Sequence, residues 1–189
     1  MSDFDPVWDG EWLADPGHST IGFTARHAMV TKVRGVFDDM EVVIRADTEN
    51  PEKSTVMVRL GVASINTRNP QRDEHLRSPD FFDVEKYPDI TFVSTAIEEI
   101  DERAFMITGD LTVRDTTQRV VIPVDFIGVE KDPFGQVRAG FTGKRRINRR
   151  DFGLEWNLPL DSGGVLVSEK VELQFDISAI KSDAPAAEQ

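Results

Sequence analysis

A chain of 189 residues, 39% of them hydrophobic, is large enough to bury the core of one domain. Its 34 acidic and 22 basic residues give a net charge of −12, which argues against nucleic acid as the main partner and against attraction of the whole protein to anionic lipid surfaces. The absence of cysteine excludes disulfide bonds, a thiolate nucleophile and cysteine-based metal sites.

The two ends of the chain differ in composition from the part between them. Residues 1–10 are acidic and have no apolar run of the kind that a secretory signal carries, so we expect a flexible arm and a cytoplasmic protein. No apolar window is long enough for a transmembrane helix. Residues 181–189 are small and polar and predict a disordered tail. Residues 11–180 show no domain boundary and predict a single domain.

Most of this central part alternates apolar and polar residues. Residues 18–27 place Ile21 and Phe23 on one face, and residues 105–113 and 171–177 repeat the pattern. Alternation in short segments that are joined by tight turns is typical of antiparallel strands. The sequence therefore predicts an all-β fold, an antiparallel barrel or sandwich of about eight strands with consecutive hairpins. Pro123 lies inside one such segment and predicts a sheet edge or a bulge there.

Residues 69–88 interrupt the strands, because they contain three prolines and a charged run. The sequence predicts one short helix near residues 70–78, with Asn69 as its N-cap. Phe81 and Phe82 follow the helix directly. They predict that the segment closes one end of the fold as a helical flap.

The three histidines offer little support for a metal or catalytic site. His18 and His27 are nine residues apart, which places them on opposite faces of an unbroken strand. His75 lies in the predicted helix, and no spacing among the three matches an established zinc motif. We expect hydrogen-bonded structural histidines, no metal site and no catalytic residue.

Two groups of charged residues allow two interpretations each. Residues 72–77 predict a solvated helix face, in which Asp73 and Arg77 have the spacing of an i,i+4 ion pair, or a rim that holds a polar headgroup. Residues 144–150 contain five basic residues and predict either counter-ions to the acidic surface or an anion site, since arginine suits phosphate geometry. Both interpretations stay open for each group.

Motifs spread over most of the chain resemble those of the YceI-like polyisoprenoid-binding family. The most specific is RDEHLRSPDFFDVEKYP at residues 72–88, followed by F-V-S at 92–94. The others, in chain order, are W-x-x-D-x-x-H-S at 12–19, F-x-x-R-H at 23–27, V-R-G-x-F at 33–37, S-I-x-T at 64–67, G-D-L-T-V-R at 109–114 and N-R-x-D-F-G at 148–153.

The resemblance implies a lipocalin-like extended barrel of eight antiparallel strands. It implies an internal apolar tunnel for a long isoprenoid or another amphipathic chain, and often a homodimer. It brings no established catalytic activity and no cofactor, although a bound polyprenyl lipid or quinone-like molecule would fit. A tunnel of this kind would bury a polyprenyl tail by removing its apolar surface from water.

The candidate site residues fall into two sets. Donors at the tunnel rim, expected to hold a diphosphate or hydroxyl end, are Arg72, His75, Arg146 and Arg149. The apolar candidates share an inward-facing position in the alternation, and ordinary barrel core is the competing interpretation for each of them. They are Ile21, Phe23, Phe92, Phe105, Ile107, Leu111, Phe126, Phe141, Leu173 and Phe175.

Three functions follow as alternatives. The first is binding of a long-chain isoprenoid or similar lipid for carriage, storage or sequestration. The second is an enzyme that acts on an isoprenoid-like substrate, with His75 or His27 as acid/base at an ordinary histidine pKa near 6.5. The third is a ligand-free stress-response or interaction protein with a filled barrel.

Overall fold

The computed structural model describes residues 5–183; residues 1–4 and 184–189, which belong to the predicted arm and tail, lie outside this range. The described chain contains eleven strand segments and one α-helix. They are β1 Gly10–Ala14, β2 Thr20–His27, β3 Thr31–Phe37, β4 Met40–Ala46, β5 Thr55–Gly61, β6 Ile65–Asn66, α1 Pro70–Arg77, β7 Asp89–Asp101, β8 Ala104–Val113, β9 Thr116–Lys131, β10 Val137–Asn148 and β11 Lys170–Lys181.

Three pairs of consecutive segments each form one bent barrel strand. β1 and β2 both lie antiparallel to β11, as the pairs Trp12↔Lys181 and Thr24↔Glu172 show. β3 then pairs with β2 and β4 with β1, while β6 pairs with β3 and β5 with β4. The pairing of β1 with β11 closes the ring. The predicted eight-stranded antiparallel barrel is therefore confirmed, and its strands follow one another in up-and-down order.

Glycines on the inner face of the barrel let large aromatic side chains of the neighbouring strand pack close to the backbone. Gly35 pairs with Phe23, and a Cβ atom added at Gly35 would lie 2.4 Å from Phe23 Cζ. Gly143 pairs with Phe175, and its added Cβ would lie 2.5 Å from Phe175 Cζ. Each phenylalanine ring occupies the space that a side chain at the facing glycine would take, so the pair fills less of the barrel interior than two facing side chains would.

The predicted helix forms as α1. Asn69 Oδ1 accepts from Arg72 N at 3.0 Å, which caps the first turn. The expected Asp73–Arg77 ion pair does not form. The buried Asp73 carboxylate instead accepts from the backbone N and the hydroxyl of Thr67, at 2.8 and 2.5 Å, and so ties the helix to the chain before it. No helix within residues 5–183 is long and apolar enough to cross a membrane.

At the barrel end opposite to α1, one arginine joins three parts of the chain. Arg138 of β10 donates from Nη1 to Asp15 Oδ2 at 2.8 Å and from Nε to Asp132 Oδ2 at 2.8 Å. Its Nη1 also donates to Ser178 Oγ of β11 at 3.2 Å. Hydrogen bonding to Arg138, followed by that to His18, lowers the pKa of Asp15 to about 2, and Arg138 also lowers the pKa of Asp132.

We expect Arg138→Met to lower the melting temperature by several degrees at pH 7, because two carboxylates lose their cation. The pKa of Asp15 falls from 3.8 to about 2, so this stabilisation is complete above about pH 4 and is lost as the pH falls towards 2. Thermal melts from pH 7 to pH 2 should therefore converge for the two proteins. Arg119→Met, which removes an exposed ion pair with Asp110, is the control and should shift the melting temperature little. A difference that stays constant down to pH 2 would contradict the assignment.

Candidate ligand-binding cavity

The barrel encloses a cavity of about 370 Å³. Each of the eight barrel strands contributes inward-facing side chains to its wall, because alternate residues of a strand point to the same side. At one end the cavity reaches Trp8, which precedes β1, and at the other it reaches Phe82, which follows α1. Only a few of its lining residues are polar. They are Asp47, Thr48, Ser54, Arg145, Arg149 and Gln174.

All ten apolar residues that the sequence selects line this cavity. The alternation is sufficient to place them because it fixes which face of a strand looks inward. Their contact with a ligand stays a prediction. Val42, Ile44, Val56 and Val58 also line the cavity, and the same alternation on β4 and β5 carries that signal. Trp8 is a lining residue that no pattern in the sequence indicates.

The segment after α1 covers one end of the cavity. Phe81 and Phe82 both line it, and the Phe82 ring meets Phe37 of β3 edge-on at 6.2 Å. His75 packs edge-on against Trp156 at 4.6 Å and against Phe81 at 5.2 Å. These ring contacts join the segment to the long loop between β10 and β11, so two pieces of irregular chain together form the cap.

Three of the four predicted rim donors lie off the cavity wall. Arg72 donates from Nε to Thr67 Oγ1 and from Nη2 to Thr67 O, both at 2.8 Å. His75 Nε2 forms a hydrogen bond with Asp80 Oδ2 at 2.8 Å, and Arg146 lies exposed on the outer face of β10. His18 and His27 are not lining residues either, so none of the three histidines faces the cavity.

Arg149, the fourth predicted donor, lines the cavity but is engaged elsewhere. Its side chain is buried and donates from Nε to Ser168 O at 2.9 Å, from Nη1 to Leu154 O at 2.6 Å and from Nη2 to Val167 O at 3.3 Å. Burial lowers the pKa of Arg149. The guanidinium therefore organises the loop between β10 and β11, and its three donor nitrogens already have acceptors.

The barrel wall separates locally between β9 and β10. These strands pair from Lys131↔Val137 to Val124↔Gly143, and the ladder ends next to Pro123, which has no N–H. Beyond this point β9 pairs with β8 alone and β10 with β11 alone. We call this separation the lateral gap. A hydrogen bond from Gln118 Nε2 to Asp151 O, at 3.2 Å, spans its far end.

Arg145 lies at the lateral gap. It is in phase with Ala139 and Phe141 on the inner face of β10, opposite Leu173, and it both lines the cavity and is exposed to solvent. Within the described part of the chain its side chain has no hydrogen bond or ion pair. A free guanidinium at the boundary between an apolar cavity and water can bind an anionic group in bidentate geometry.

A second polar group lies at the end near Trp8. Thr48 is buried, and its Oγ1 has no hydrogen-bond partner among residues 5–183. Its backbone N is satisfied by Asp9 Oδ1. Buried hydroxyls normally form a hydrogen bond, so this one is an exception within the described chain.

A closed eight-stranded meander around an apolar interior defines the lipocalin-like class of barrels, whose interiors can hold one small ligand. The model of the YceI-like domain matches residues 12–179. The chain therefore belongs to the YceI-like family, as its motifs predict.

Relatives of known sequence or structure agree with this. A UPF0312 protein of Pseudomonas savastanoi is 40% identical over 138 residues, which cover 73% of this chain and 72% of that protein. The crystal structure of the Campylobacter jejuni YceI protein superposes with a TM-score of 0.71 at 31% identity, covering 84% of this chain and 90% of that one. A polyisoprenoid binding domain from Saccharophagus degradans shares the fold, with a TM-score of 0.70 at 14% identity, over 92% of this chain and 99% of that one.

Proposed function

We propose that the protein binds a long-chain isoprenoid or a similar amphipathic lipid inside the barrel, for carriage, storage or sequestration. The observation that carries the proposal is the cavity itself, which is apolar along the barrel and is bordered at the lateral gap by the exposed cation of Arg145. Each Å² of lipid chain removed from water contributes about 25 cal/mol. The Saccharophagus domain of the same fold, which is described as polyisoprenoid binding, adds support.

In this proposal the lipid chain lies among the phenylalanines and the headgroup lies beside Arg145. Arg145 takes this role in place of Arg72, His75 and Arg146, which do not line the cavity. Arg149 is left as a structural residue because carbonyl oxygens occupy its donors.

The direct test is native mass spectrometry of the protein after gentle purification, followed by titration with a fluorescent polyprenyl phosphate. We expect a mass increment in the range of a polyprenyl lipid, or saturable binding by the stripped protein. Protein that carries no ligand and gives no response to added polyprenyl lipids would contradict the proposal and would favour the ligand-free alternative.

A charge-removing variant tests the headgroup site. We expect Arg145→Met to weaken binding of a polyprenyl phosphate by about tenfold, since a charge-assisted hydrogen bond is lost. Binding of the uncharged polyprenol of equal length should change by less than about threefold, because the apolar contacts remain. Arg146→Met, on the outer face of the same strand, is the matched control and should leave the dissociation constants for both lipids unchanged.

Equal losses of affinity for the two lipids in Arg145→Met, or an equal loss of phosphate affinity in Arg146→Met, would contradict the role of Arg145.

The homodimer and the cytoplasmic location expected from the sequence stay predictions. Light scattering on a sizing column measures the first, and cell fractionation measures the second.

A further inference from the structure

An apolar tip ends the hairpin between β2 and β3. Met29 is 55% exposed and Val30 is 75% exposed. Ala28 and Met29 have positive φ angles of 49° and 64°, in the left-handed region that non-glycine residues rarely adopt. The turn thus keeps much of two apolar side chains in water, on a backbone that favours glycine or asparagine at residues 28 and 29.

The tip is held against the loop between β10 and β11. Ala28 N donates to Leu166 O at 2.7 Å, and a Cβ atom added at Gly164 would come within 3.1 Å of Met29 Cγ. Leu166 N in turn donates to Leu158 O at 2.9 Å, and Leu158 is 50% exposed. We call Met29, Val30 and Leu158 the apolar tip. They belong to two segments that are fixed to each other.

A cluster of cations lies on the outer face beside the apolar tip. The strand register places Arg146, Glu172, Thr24 and Arg34 in one row across β10, β11, β2 and β3. The next row towards the tip contains the pairs Asn148↔Lys170 and Arg26↔Lys32. The next row away from the tip begins with the pair Lys144↔Gln174. We call the cationic residues of these rows the basic face. They are Arg26, Lys32, Arg34, Lys144, Arg146 and Lys170.

The basic face contrasts with the rest of the molecule. It holds six of the 22 basic residues, and Glu172 is the one carboxylate in its three rows, whereas the whole chain has 34 Asp and Glu and a net charge of −12. In the described range none of the six side chains forms an ion pair or a hydrogen bond. These cations are therefore available to an anionic surface, since no carboxylate of the described chain holds them.

Both features lie next to the cavity. His27, at the base of the tip, forms an isolated β-bridge with Val167, which lines the cavity. Lys144 and Arg146 of the basic face flank Arg145 at the lateral gap. A flat surface that met the tip and the basic face would therefore lie against the capped end of the barrel and close to the gap.

We propose that the apolar tip and the basic face together dock the protein onto a bilayer that contains anionic lipids. Cations within a Debye length of such a surface are attracted to it, and the apolar tip supplies side chains that can enter the headgroup region. The acidic remainder of the molecule is repelled, which orients the protein with this end towards the membrane. Nucleic acid could meet the cations, but its phosphates offer nothing apolar to Met29 and Val30, and the apolar tip therefore favours a bilayer.

Vesicle sedimentation tests the electrostatic part. We expect binding to vesicles of phosphatidylglycerol and phosphatidylcholine in equal parts, weak binding to phosphatidylcholine alone, and loss of binding as salt rises. Arg26→Glu with Lys32→Glu should lower the partition coefficient at least about tenfold. Lys53→Glu with Lys131→Glu makes the same charge change at exposed positions at the other end of the barrel and is the matched control. Equal losses in the two double variants would overturn the proposal.

Site-specific labelling tests whether the apolar tip enters the bilayer. Because the sequence has no native cysteine, a dye attaches only at the introduced one. Val30→Cys and Phe134→Cys each receive an environment-sensitive dye; Phe134 is 91% exposed in the β9–β10 hairpin, away from the tip. We expect anionic vesicles to shift the emission of the dye at residue 30 to the blue and to leave the dye at residue 134 unchanged. Binding without any blue shift at residue 30 would mean attraction to polyanions in general and would overturn membrane docking.

These measurements use vesicles without polyprenyl lipid, so their outcome is independent of the proposed function. The charge-reversed Arg26 and Lys32 variant should bind soluble polyprenyl phosphate as the unmodified protein does. If that affinity fell equally, the variant would have altered the barrel, and Met29→Ser with Val30→Ser would replace it as the test of docking, with Phe134→Ser as its control.

Discussion

Val58→Trp is expected to raise the dissociation constant for a polyprenyl lipid at least about 100-fold. Val58 faces inward on β5, between Val42 of β4 and Phe92 of β7, so an indole ring at this position would occupy the middle of the cavity. A ligand chain that runs along the barrel cannot pass such an obstruction. Titration with a fluorescent polyprenyl phosphate measures the effect.

The neighbouring residue provides the control. Met57 points outward on the same strand and is 51% exposed, so Met57→Trp should bind lipid with the affinity of the unmodified protein. Because the added ring enters an existing cavity, Val58→Trp should keep its melting temperature, and Val56→Phe offers a milder obstruction if it does not. A folded Val58→Trp protein with unchanged affinity would place the ligand somewhere other than the barrel interior.

Arg149→Met is expected to lower the free energy of unfolding by about 3–5 kcal/mol, the largest stability loss that we predict. The reason is that the carbonyl oxygens of Leu154 and Ser168, in an irregular loop, would lose their donor, and that of Val167 would keep only Asn157 Nδ2. Methionine keeps much of the apolar length of the side chain, so the loss reports on the hydrogen bonds. Urea denaturation monitored by tryptophan fluorescence measures it.

Arg150 serves as the matched control, because it is the next residue and is also cationic. It is exposed and pairs with Glu169 at 3.0 Å, so Arg150→Met should cost at most about 1 kcal/mol. If the two variants lost the same small amount of stability, the buried guanidinium would not be organising the loop, and the headgroup role that the sequence predicts for Arg149 would gain support.

The strands were predictable because alternation of apolar and polar residues indicates a β-strand that buries one of its two faces. That alternation also placed all ten apolar candidates on the cavity wall, because inside and outside are the only two choices. The helix was predictable for a local reason, since Asn69 and the proline after it encode a helix start within their own few residues.

The polar part of the site was not predictable in the same way. Arg149 depends on carbonyl groups 5 to 19 residues away in a loop without regular structure, and no periodicity describes such contacts. Arg145 is in phase with the inward Phe141, but a charged residue argues for an outward position unless the wall is known to separate there. That separation depends on where the pairing of β9 with β10 ends, and the residue pattern of either strand alone does not show this.

The lateral gap has a consequence for solubility. Where β9 and β10 part, each presents a row of backbone amide and carbonyl groups that another chain could join by adding a strand. Pro123 on one side removes a donor, and the charged run from Lys144 to Arg146 on the other opposes a like-charged copy. Two strands that part in the wall of a barrel thus require protection against self-association, and the residues that border this gap supply it. A neutral, proline-free version of the same two edges should be prone to aggregate.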